Sequence, residues 1–194
     1  MALSSNMLLA GYCQGLFPMA DDDGTIQWYD VKRRAIIPLD TFHVPKRLAR
    51  RVRNGGFEIR VNTCFREVML ACAAPRPGHD GTWISDAMVT AYSELHTLGF
   101  AHSVEAWAGD ELVGGLYGVA VRGLFAGESM FSRATDASKV ALVHLVERLR
   151  RGGFVLLDSQ YIVGEHMLQF GTIEISRAEY QQRLAAALAV DAVF

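Results

Sequence analysis

Cysteine is scarce in this chain, and its distribution argues against a disulfide framework. The 194 residues include three cysteines, an odd number, and no two of them have CxxC spacing. Reduced thiols in the cytoplasm are therefore expected. Long apolar runs are absent too: the most apolar stretch, 112–126, contains five glycine or arginine residues and falls short of the roughly 20 apolar residues of a membrane helix. The first ten residues have neither a basic flank nor a long apolar region. No signal peptide is therefore expected.

The motifs that mark several catalytic classes are also missing. The six histidines show neither HxH nor HExxH spacing, so no metal site is expected. GxSxG, GxxxxGKS/T and GxGxxG do not occur, which argues against a hydrolase triad and against nucleotide triphosphate or dinucleotide sites. The net charge of −2 gives no overall attraction for nucleic acid, so a nucleic-acid partner would need a local basic patch.

The chain does contain enough apolar sequence for one main domain with an appendage. Hydrophobic residues make up 51% of it and charged residues 21%, which excludes disorder. Apolar spacing and turn residues predict alternating strands and helices, with three consecutive strands joined by short hairpin links. The predicted elements are a strand at 35–39, helices after residues 44, 62 (capped by Asn62) and 85, strands at 102–107, 111–121 and 123–131, a helix at 137–151, a strand at 154–157, and a last helix capped by Ser176.

This order of elements predicts an α+β, or mixed α/β, layered fold. Its topology matches the acetyltransferase-like (N-acyltransferase) fold class. We place a small, abbreviated N-terminal domain at 1–34 and the acetyltransferase-like domain at 35–194. The loop 133–138 has no glycine, whereas an acetyl-coenzyme A enzyme of this fold needs a glycine-rich turn there to hold the pyrophosphate. The fold is therefore expected without that cofactor.

The segment 44–53 is a candidate site for a polyanion. Helical spacing puts basic residues on both sides of an apolar stripe, and no acidic residue is interleaved with them. Such a helix in an acidic chain suggests phosphate contacts, which position a nucleic acid without reading its sequence. A solvated helix face is the alternative. The candidate phosphate-binding residues are Lys46, Arg47, Arg50 and Arg51.

Two polar features accompany apolar strands. Glu128 lies within the strand 123–131, where alternation places it on the face of Met130 and opposite Phe131. It is either salt-bridged across the sheet or part of a ligand site. Asp158 and Gln160 end the interior strand and project to one side. They lie either in a turn that hydrogen-bonds the next loop or at the mouth of a ligand crevice.

Several short signatures also follow one another in a characteristic order. They are Tyr12-x-x-Gly15-x-Phe17-Pro18, Trp28-Tyr29 with Arg34, Phe42-His43-Val44, Gly81-Thr82-Trp83-Ile84, Ala101-His102-Ser103-Val104-Glu105-x-Trp107, Leu112-Val113-Gly114-Gly115-Leu116-Tyr117-Gly118-Val119, Phe125-x-Gly127-Glu128-Ser129-Met130-Phe131-Ser132, Ala137-Ser138-Lys139-x-Ala141-Leu142, and Leu157-Asp158-x-Gln160. With these signatures the chain resembles the bacterial leucyl/phenylalanyl-tRNA–protein transferases from about Gly11 to Arg183.

The resemblance implies transfer of leucine or phenylalanine, less readily methionine, from aminoacyl-tRNA to the N-terminal amine of proteins that begin with arginine or lysine. The products are then marked for N-degron proteolysis. It also implies an acetyltransferase-like fold behind a small N-terminal domain, no cofactor and no metal. Two alternatives stay open: a non-catalytic RNA-binding relative, and an aminoacyl-tRNA-dependent transferase with a different acceptor.

The resemblance further implies roles for individual residues. Asp158 and Gln160 fall on catalytic positions, and Glu128 falls on an active-site glutamate. An amide oxygen is a very weak base, so we expect Gln160 to orient the amine rather than to take its proton. Trp83 falls on a tryptophan near the 3′-terminal adenosine. The residues expected around the aminoacyl group and the adenosine are Trp83, Phe125, Gly127, Ser129, Met130 and Leu157. Four positions depart from the family pattern, namely Met19, Asp136, Ser159 and Gln169.

Overall fold

The computed structural model describes residues 3–21, 23–75, 82–162 and 164–194, without the side chains of residues 165 and 166. Gly81, the first residue of the signature Gly81-Thr82-Trp83-Ile84, lies outside these ranges. In the described part of the chain, no helix is long and apolar enough to cross a membrane. The elements are α1 Ser5–Cys13, β1 Phe17–Ala20, β2 Ile26–Tyr29, β3 Arg33–Ile36, α2 Lys46–Arg53, β4 Glu58–Val61, α3 Phe65–Ala73, α4 Asp86–Thr97, β5 Ala101–Ala108, β6 Glu111–Val121, β7 Leu124–Ser132, α5 Ala137–Arg151, β8 Leu156–Gln160, a 3-10 helix Glu165–Phe170, β9 Ile173–Ser176 and α6 Arg177–Leu188.

Over the described residues, the main sheet has seven strands in the order β4-β5-β6-β7-β8-β3-β9. β7 and β8 pair in parallel, and the other neighbours pair antiparallel. The strands β5, β6 and β7 form the antiparallel meander that the hairpin links predicted, and the α+β class is confirmed. β3 lies between β8 and β9, so an early strand is held by two late ones. The predicted domain boundary, between residues 34 and 35, falls inside β3. The division into two domains stays a prediction.

The N-terminal elements pack onto the same core as the main sheet. Ser4 caps α1 by accepting a hydrogen bond from the backbone nitrogen of Met7. β1 and β2 form a separate two-stranded antiparallel hairpin. Tyr12 of α1 and Phe17 of β1 are buried in one hydrophobic cluster with residues of α3 and α4. This arrangement brings the first signature of the sequence next to the central strands.

Two layers of helices cover the two faces of the sheet. Along α3 and α4, one side of each helix is buried, including Met69 and Tyr92. On the opposite face, α5 buries Leu142, Val146 and Leu149 and spans the predicted residues. Ser85 and Ser176 cap α4 and α6 through their side chains, and the cap by Ser176 was predicted.

Three local predictions are wrong. The strand expected at 35–39 is Arg33–Ile36 and ends three residues earlier. Asn62 does not cap α3, because its backbone has φ of 60° and its side chain binds the backbone nitrogen of Ser103. The buried Glu105 carboxylate takes that place and accepts from the backbone nitrogens of Thr63 and Cys64. The interior strand also begins two residues later than expected and continues to Gln160. The strand therefore carries Asp158 and Gln160 within the sheet.

Candidate active site

A β-bulge in β7 sets the geometry of the site. β6 and β7 pair Tyr117 with Ser129 but Gly118 with Gly127, which leaves Glu128 as an extra, unpaired residue. The extra residue breaks the alternation that the sequence predicted. Phe131 packs in the cluster that faces α3 and α4, toward which Glu128 also points, whereas Met130 packs against the cluster on the α5 side. The predicted sharing of a face by Glu128 and Met130 is therefore wrong.

A cavity of about 430 Å³ lies where the parallel pairing of β7 and β8 ends. Carboxyl ends of neighbouring parallel strands are common ligand positions in open sheets. Its lining residues come from both faces of the sheet. The described residues that line it are Met19, Ile37, Cys72, Ala74, Thr82, Trp83, Leu116, Tyr117, Gly127, Glu128, Ser129, Met130, Leu142, Leu145, Leu157, Asp158, Ser159, Gln160, Tyr161, Ile162, Met167 and Thr172.

Asp158 is held in a fully buried ion pair with Arg34. The guanidinium donates from Nε to Asp158 Oδ1 over 2.9 Å and from Nη2 to Oδ2 over 2.6 Å. The Tyr180 hydroxyl donates to Oδ2 and the Gln160 backbone nitrogen to Oδ1, both over 2.8 Å. The guanidinium itself lies between the rings of Phe17 and Tyr180. Four donors thus occupy the Asp158 carboxylate, which is neutralised where it stands.

The electrostatics of Arg34 and Tyr180 agree with this arrangement. Burial alone would lower the pKa of Arg34, but the adjacent Asp158 carboxylate raises it above its ordinary value. Burial raises the pKa of Tyr180, and Asp158 raises it further. Arg34 therefore stays charged and Tyr180 stays a neutral donor, so the geometry around Asp158 is the same across the physiological pH range.

Gln160 connects Asp158 to Glu128. Its backbone takes the left-handed conformation, with φ of 63°, and is tied by its own N–H to Asp158. Its side-chain nitrogen Nε2 donates to Glu128 Oε1 over 3.0 Å. Because the amide nitrogen is used in this way, the amide oxygen is the atom that can accept a hydrogen bond from an incoming amine.

Glu128 has neutral partners and no neighbouring cation among its hydrogen bonds. Tyr12 donates to Oε1 over 2.7 Å. The Tyr92 hydroxyl lies within hydrogen-bond distance of both the Tyr12 hydroxyl and Oε2, the latter at 3.3 Å, and its one proton serves one of them. Burial raises the pKa of Glu128 to about 7, because the hydrogen bonds from Tyr12 and Gln160 only partly offset the loss of solvation and the charge of Asp158 adds to it. The site thus holds a carboxylate that titrates near neutral pH.

One wall of the cavity is apolar and lies on the α5 side of the sheet. Met130 and Leu157, both expected near the aminoacyl group, belong to it. Phe125 was expected there as well, but its ring is fully buried, packs against Phe154 and Phe194, and is not among the described residues that line the cavity. The wall also contains residues that the sequence did not indicate, namely Ile37, Leu116, Leu142, Leu145 and Met167.

The other residues expected around the aminoacyl group and the adenosine line the cavity outside this apolar wall. Trp83 is half-buried at the cavity and its carbonyl accepts a hydrogen bond from the Ala20 backbone nitrogen over 3.0 Å. Gly127 and Ser129 flank Glu128 along β7. Two of the positions that depart from the family pattern, Met19 and Ser159, line the cavity as well.

The basic helix α2 lies apart from this cavity. Arg47, Arg50 and Arg51 line a second cavity of about 300 Å³ with Asn54, Gly56 and Asp136, the residue that precedes α5. Among the described ion pairs, none involves Lys46, Arg47, Arg50 or Arg51. Asp136, another departure from the family pattern, pairs with Lys139 over 3.0 Å. The basic side chains are therefore available to an anionic partner.

The partners of Arg34, Tyr12 and Tyr180 were not found from the sequence. Arg34 and Tyr12 belong to the signatures quoted above, but their carboxylate partners are 124 and 116 residues away along the chain. Tyr180 belongs to no signature. In the described ranges, no group of three or more His, Cys, Asp or Glu side chains could hold a metal ion.

Comparison with known proteins identifies the family. Residues 36–185 match the protein family described as "Leucyl/phenylalanyl-tRNA protein transferase". Residues 1–32 match the family described as "Leucyl/phenylalanyl-tRNA protein transferase N-terminal domain". Three curated relatives are named leucyl/phenylalanyl-tRNA–protein transferase. The one from Herpetosiphon aurantiacus is 58% identical over 99% of this chain and 98% of its own length. Those from Phenylobacterium zucineum and Caulobacter vibrioides are 58% and 56% identical, over 96% and 100% of this chain and 85% and 89% of their own lengths.

A solved structure titled "The structure of L-PGS from Bacillus licheniformis" aligns with a TM-score of 0.47 at 15% identity, over 84% of this chain and 60% of that one. The acetyltransferase-like assignment stays a prediction. The matched family description covers most of the chain, and the curated relatives share more than half of its residues over nearly its whole length. The chain therefore belongs to the leucyl/phenylalanyl-tRNA protein transferases, a family of aminoacyltransferases.

Proposed function

We propose that this protein transfers leucine or phenylalanine, and less readily methionine, from aminoacyl-tRNA to the N-terminal amine of proteins that begin with arginine or lysine. In this proposal the products enter N-degron proteolysis in the cytoplasm. The observation that supports it most is that an apolar wall and the Glu128–Gln160 pair line the same cavity. An apolar aminoacyl side chain and an acceptor whose first residue has a cationic side chain are the two groups that such a cavity complements.

The donor needs little chemical activation, because its aminoacyl group is already an ester. The apolar wall, which includes Leu116, Leu142 and Leu157, suits the side chain of leucine or phenylalanine. Burying such a side chain yields roughly 1.5–3 kcal/mol. An indole stacked on a base contributes about 1–3 kcal/mol, so Trp83 is assigned to the terminal adenosine. Together these contacts position the ester carbonyl for attack.

The acceptor amine is a competent nucleophile once it is neutral. Its reference pKa is near 7.7, so a sizeable fraction is neutral at pH 7, and positioning supplies much of the acceleration. The amine nitrogen attacks the ester carbonyl, a C–N bond forms, and the C–O bond to the ribose breaks. The amine loses one proton and the departing ribose oxygen gains one.

In this mechanism Gln160 orients the neutral amine, and Glu128 complements the cationic side chain of the acceptor's first residue. The Gln160 amide oxygen accepts a hydrogen bond from the amine, and Asp158 acts through Gln160 by fixing its backbone. Glu128 has no cationic partner among its hydrogen bonds, so an acceptor that begins with arginine or lysine supplies one. A buried carboxylate of this kind favours cationic over acidic acceptors.

The body of the tRNA is assigned to α2. Lys46, Arg47, Arg50 and Arg51 would contact phosphates, since guanidinium and ammonium groups on a short helix suit a nucleic-acid backbone and read no base. None of the described ion pairs involves these four side chains of α2, which supports this assignment. The alternative is that α2 is a solvated face and the tRNA lies elsewhere.

The direct test is incubation of the protein with phenylalanyl-tRNA and a peptide that begins with arginine. Product is expected with this peptide and with a lysine peptide, and not with an otherwise identical peptide that begins with glutamate. Product that still forms at the wild-type rate with Asp158→Ala and Gln160→Ala would remove the catalytic assignment. No product from the wild-type protein, with tRNA binding intact, would favour a non-catalytic RNA-binding protein.

The role of Gln160 has its own test. If Gln160 only orients the amine, Gln160→Glu should not raise the rate at low pH, and Gln160→Ala should lower it. A sharp gain at low pH with Gln160→Glu, together with no effect of Gln160→Ala, would contradict the orienting role. Leucyl-, phenylalanyl- and methionyl-tRNA compared in the same assay measure the donor preference.

A further inference from the structure

Tyr117 is a buried tyrosine that the mechanism above does not use. It lies on β6 opposite Ser129, at the edge of the β7 bulge. Its side chain has no exposed surface, and its ring packs edge-on against Phe65 and Tyr92, with centroid distances of 5.9 and 5.8 Å. The ring is thus an ordinary core aromatic, and a phenylalanine would fill the same space.

The hydroxyl group of Tyr117 is what needs an explanation. It is buried and has no hydrogen-bond partner among the described residues. The hydroxyls of Tyr12, Tyr92 and Tyr180, by contrast, each have a hydrogen-bond partner on another side chain. A buried hydroxyl without a partner is destabilising, and such groups are rare in folded proteins. Within the described part of the chain, the Tyr117 hydroxyl is therefore a buried polar atom without a protein partner.

The surroundings of Tyr117 connect this residue to the cavity. Tyr117 lines the cavity together with Cys72 and Trp83. The pKa of Tyr117 is raised first by burial and then by the nearby Glu128, Tyr92 and Cys72, and Glu128 and Cys72 are also lining residues. The phenol consequently stays neutral, and it lies on the α3 and α4 side of the sheet, opposite the apolar wall.

We propose that the Tyr117 hydroxyl hydrogen-bonds the terminal nucleoside of the bound aminoacyl-tRNA. The inference rests on the proposed function, which assigns Trp83 to that nucleoside. A neutral phenol in the cavity that Trp83 also lines suits the uncharged hydroxyl and base-edge groups of a nucleoside. A cationic acceptor side chain is better matched by Glu128, and an apolar aminoacyl side chain by the opposite wall. The nucleoside is therefore the part of the ligand that can provide a hydrogen-bond partner for the Tyr117 hydroxyl.

The test compares Tyr117→Phe with the wild-type protein in two measurements. The first is the Kd of a non-hydrolysable analogue, phenylalanine amide-linked to 3′-amino-3′-deoxyadenosine. We expect a rise of about fivefold, or about 1 kcal/mol, the net contribution of a neutral hydrogen bond. The second is thermal unfolding without ligand, where Tm should be equal to or above the wild-type value, because an unpartnered hydroxyl has been removed. Tyr92→Phe is the control and should lower Tm, since it removes a hydroxyl that has hydrogen-bond partners.

Several results would overturn the proposal. An unchanged Kd for the analogue would mean that the hydroxyl has no partner in the nucleoside. A rise confined to the KM of the arginine peptide would assign the hydroxyl to the acceptor instead. A Tm lowered as much as by Tyr92→Phe would make Tyr117 a structural residue. Failure of the proposed function differs from all of these, because the wild-type protein itself would then form no product.

Discussion

The Gln160 side-chain amide and the Glu128 carboxylate are joined by a hydrogen bond of 3.0 Å between β8 and β7. Glu128 is the bulged residue of β7, and Gln160 ends β8 in a left-handed conformation. Both residues depart from regular strand geometry, and non-glycine residues with positive φ are uncommon. Such local strain persists where surrounding contacts hold it, and here Asp158, Tyr12 and Tyr92 supply them.

The raised pKa of Glu128 predicts a dependence of stability on pH. Its pKa is about 7 in the folded protein against an ordinary 4.5, so the folded state binds this proton more tightly than the unfolded state. The associated stability is present below about pH 4.5 and is lost as the pH rises through 7. The free energy of unfolding of the wild-type protein should therefore fall between these two pH values relative to that of Glu128→Gln, as measured by urea denaturation.

The matched control for this prediction is Glu94→Gln, at an exposed position of α4. Its unfolding should follow the wild-type pH profile. If Glu128→Gln also follows that profile over pH 4.5–7, Glu128 has an ordinary pKa and its burial has little electrostatic effect.

Two adjacent arginines on β3 predict a large difference in stability. The side chain of Arg34 is 2% exposed and pairs with Asp158, whereas Arg33 is 65% exposed and pairs with Glu174. Arg34→Ala leaves a buried carboxylate without its cation and should cost about 3–5 kcal/mol. Arg33→Ala should cost at most about 1 kcal/mol. Urea denaturation at pH 7 compares the two variants, and similar costs would mean that Asp158 does not depend on Arg34.

The basic helix predicts a change in salt dependence. Arg50→Ala should weaken the binding of every aminoacyl-tRNA alike and lower the slope of log K against log salt concentration by nearly one, because one phosphate is no longer neutralised by the protein. Arg183→Ala, on the exposed face of α6, is the control and should leave the slope unchanged. Filter binding at several salt concentrations measures it. A wild-type slope for Arg50→Ala would make α2 a solvated face.

For Trp83 we expect an effect on the binding of the terminal nucleoside and none on the salt dependence of tRNA binding. Trp83→Ala should weaken the binding of a minimal aminoacyl-adenosine analogue by about 1–3 kcal/mol, the contribution of stacking on a base. The salt slope for the whole tRNA should stay at the wild-type value, because every phosphate keeps its basic partner. Calorimetry with the analogue and filter binding with tRNA give the two quantities. An altered slope with unchanged analogue affinity would place Trp83 near the tRNA body instead.

Substitution of Gly127 by alanine is expected to change the donor preference without changing the fold. Among the described residues, a Cβ atom at Gly127 would meet only the Asp158 carbonyl, at 3.3 Å, whereas one at Gly118 would lie 2.4 Å from the Ala126 carbonyl. Gly127→Ala should therefore fold with a Tm near that of the wild-type protein but place a methyl group at the cavity. Its kcat/KM should fall more for phenylalanyl-tRNA than for leucyl-tRNA, because the larger side chain needs more room. Equal losses for both donors would contradict this prediction.

Local patterns in the sequence predicted the elements whose signals are local. The apolar spacing of α5 ends at Gly152, which cannot extend it favourably, and the helix ends there. The short links around Gly109 and Gly123 allow only hairpins between β5, β6 and β7. These elements were predicted because each signal involves residues within a few positions of each other.

The parts that were missed depend on distant residues. Nothing near Glu128 marks it as a bulge, because the extra residue is defined only by the pairing of its neighbours, Gly127 and Ser129, with consecutive residues of β6. Phe125 carries the family signature, yet its depth is determined by Phe154 and Phe194. Asn62 resembles a helix cap locally, but Glu105, on β5, occupies that role. Resemblance indicated which residues share a site and did not indicate how deeply each is buried.

The position of β3 between β8 and β9 also determines when the site can form during synthesis. A ribosome makes residue 34 long before residues 158 and 180, and the closure of the loop between Arg34 and Asp158 spans 124 positions. Contacts of such sequence separation form late because closing long loops is slow. The nascent chain therefore has no organised carboxylate at Asp158 until α6 has left the ribosome. The cavity that Asp158 lines is therefore complete only after α6 has been made.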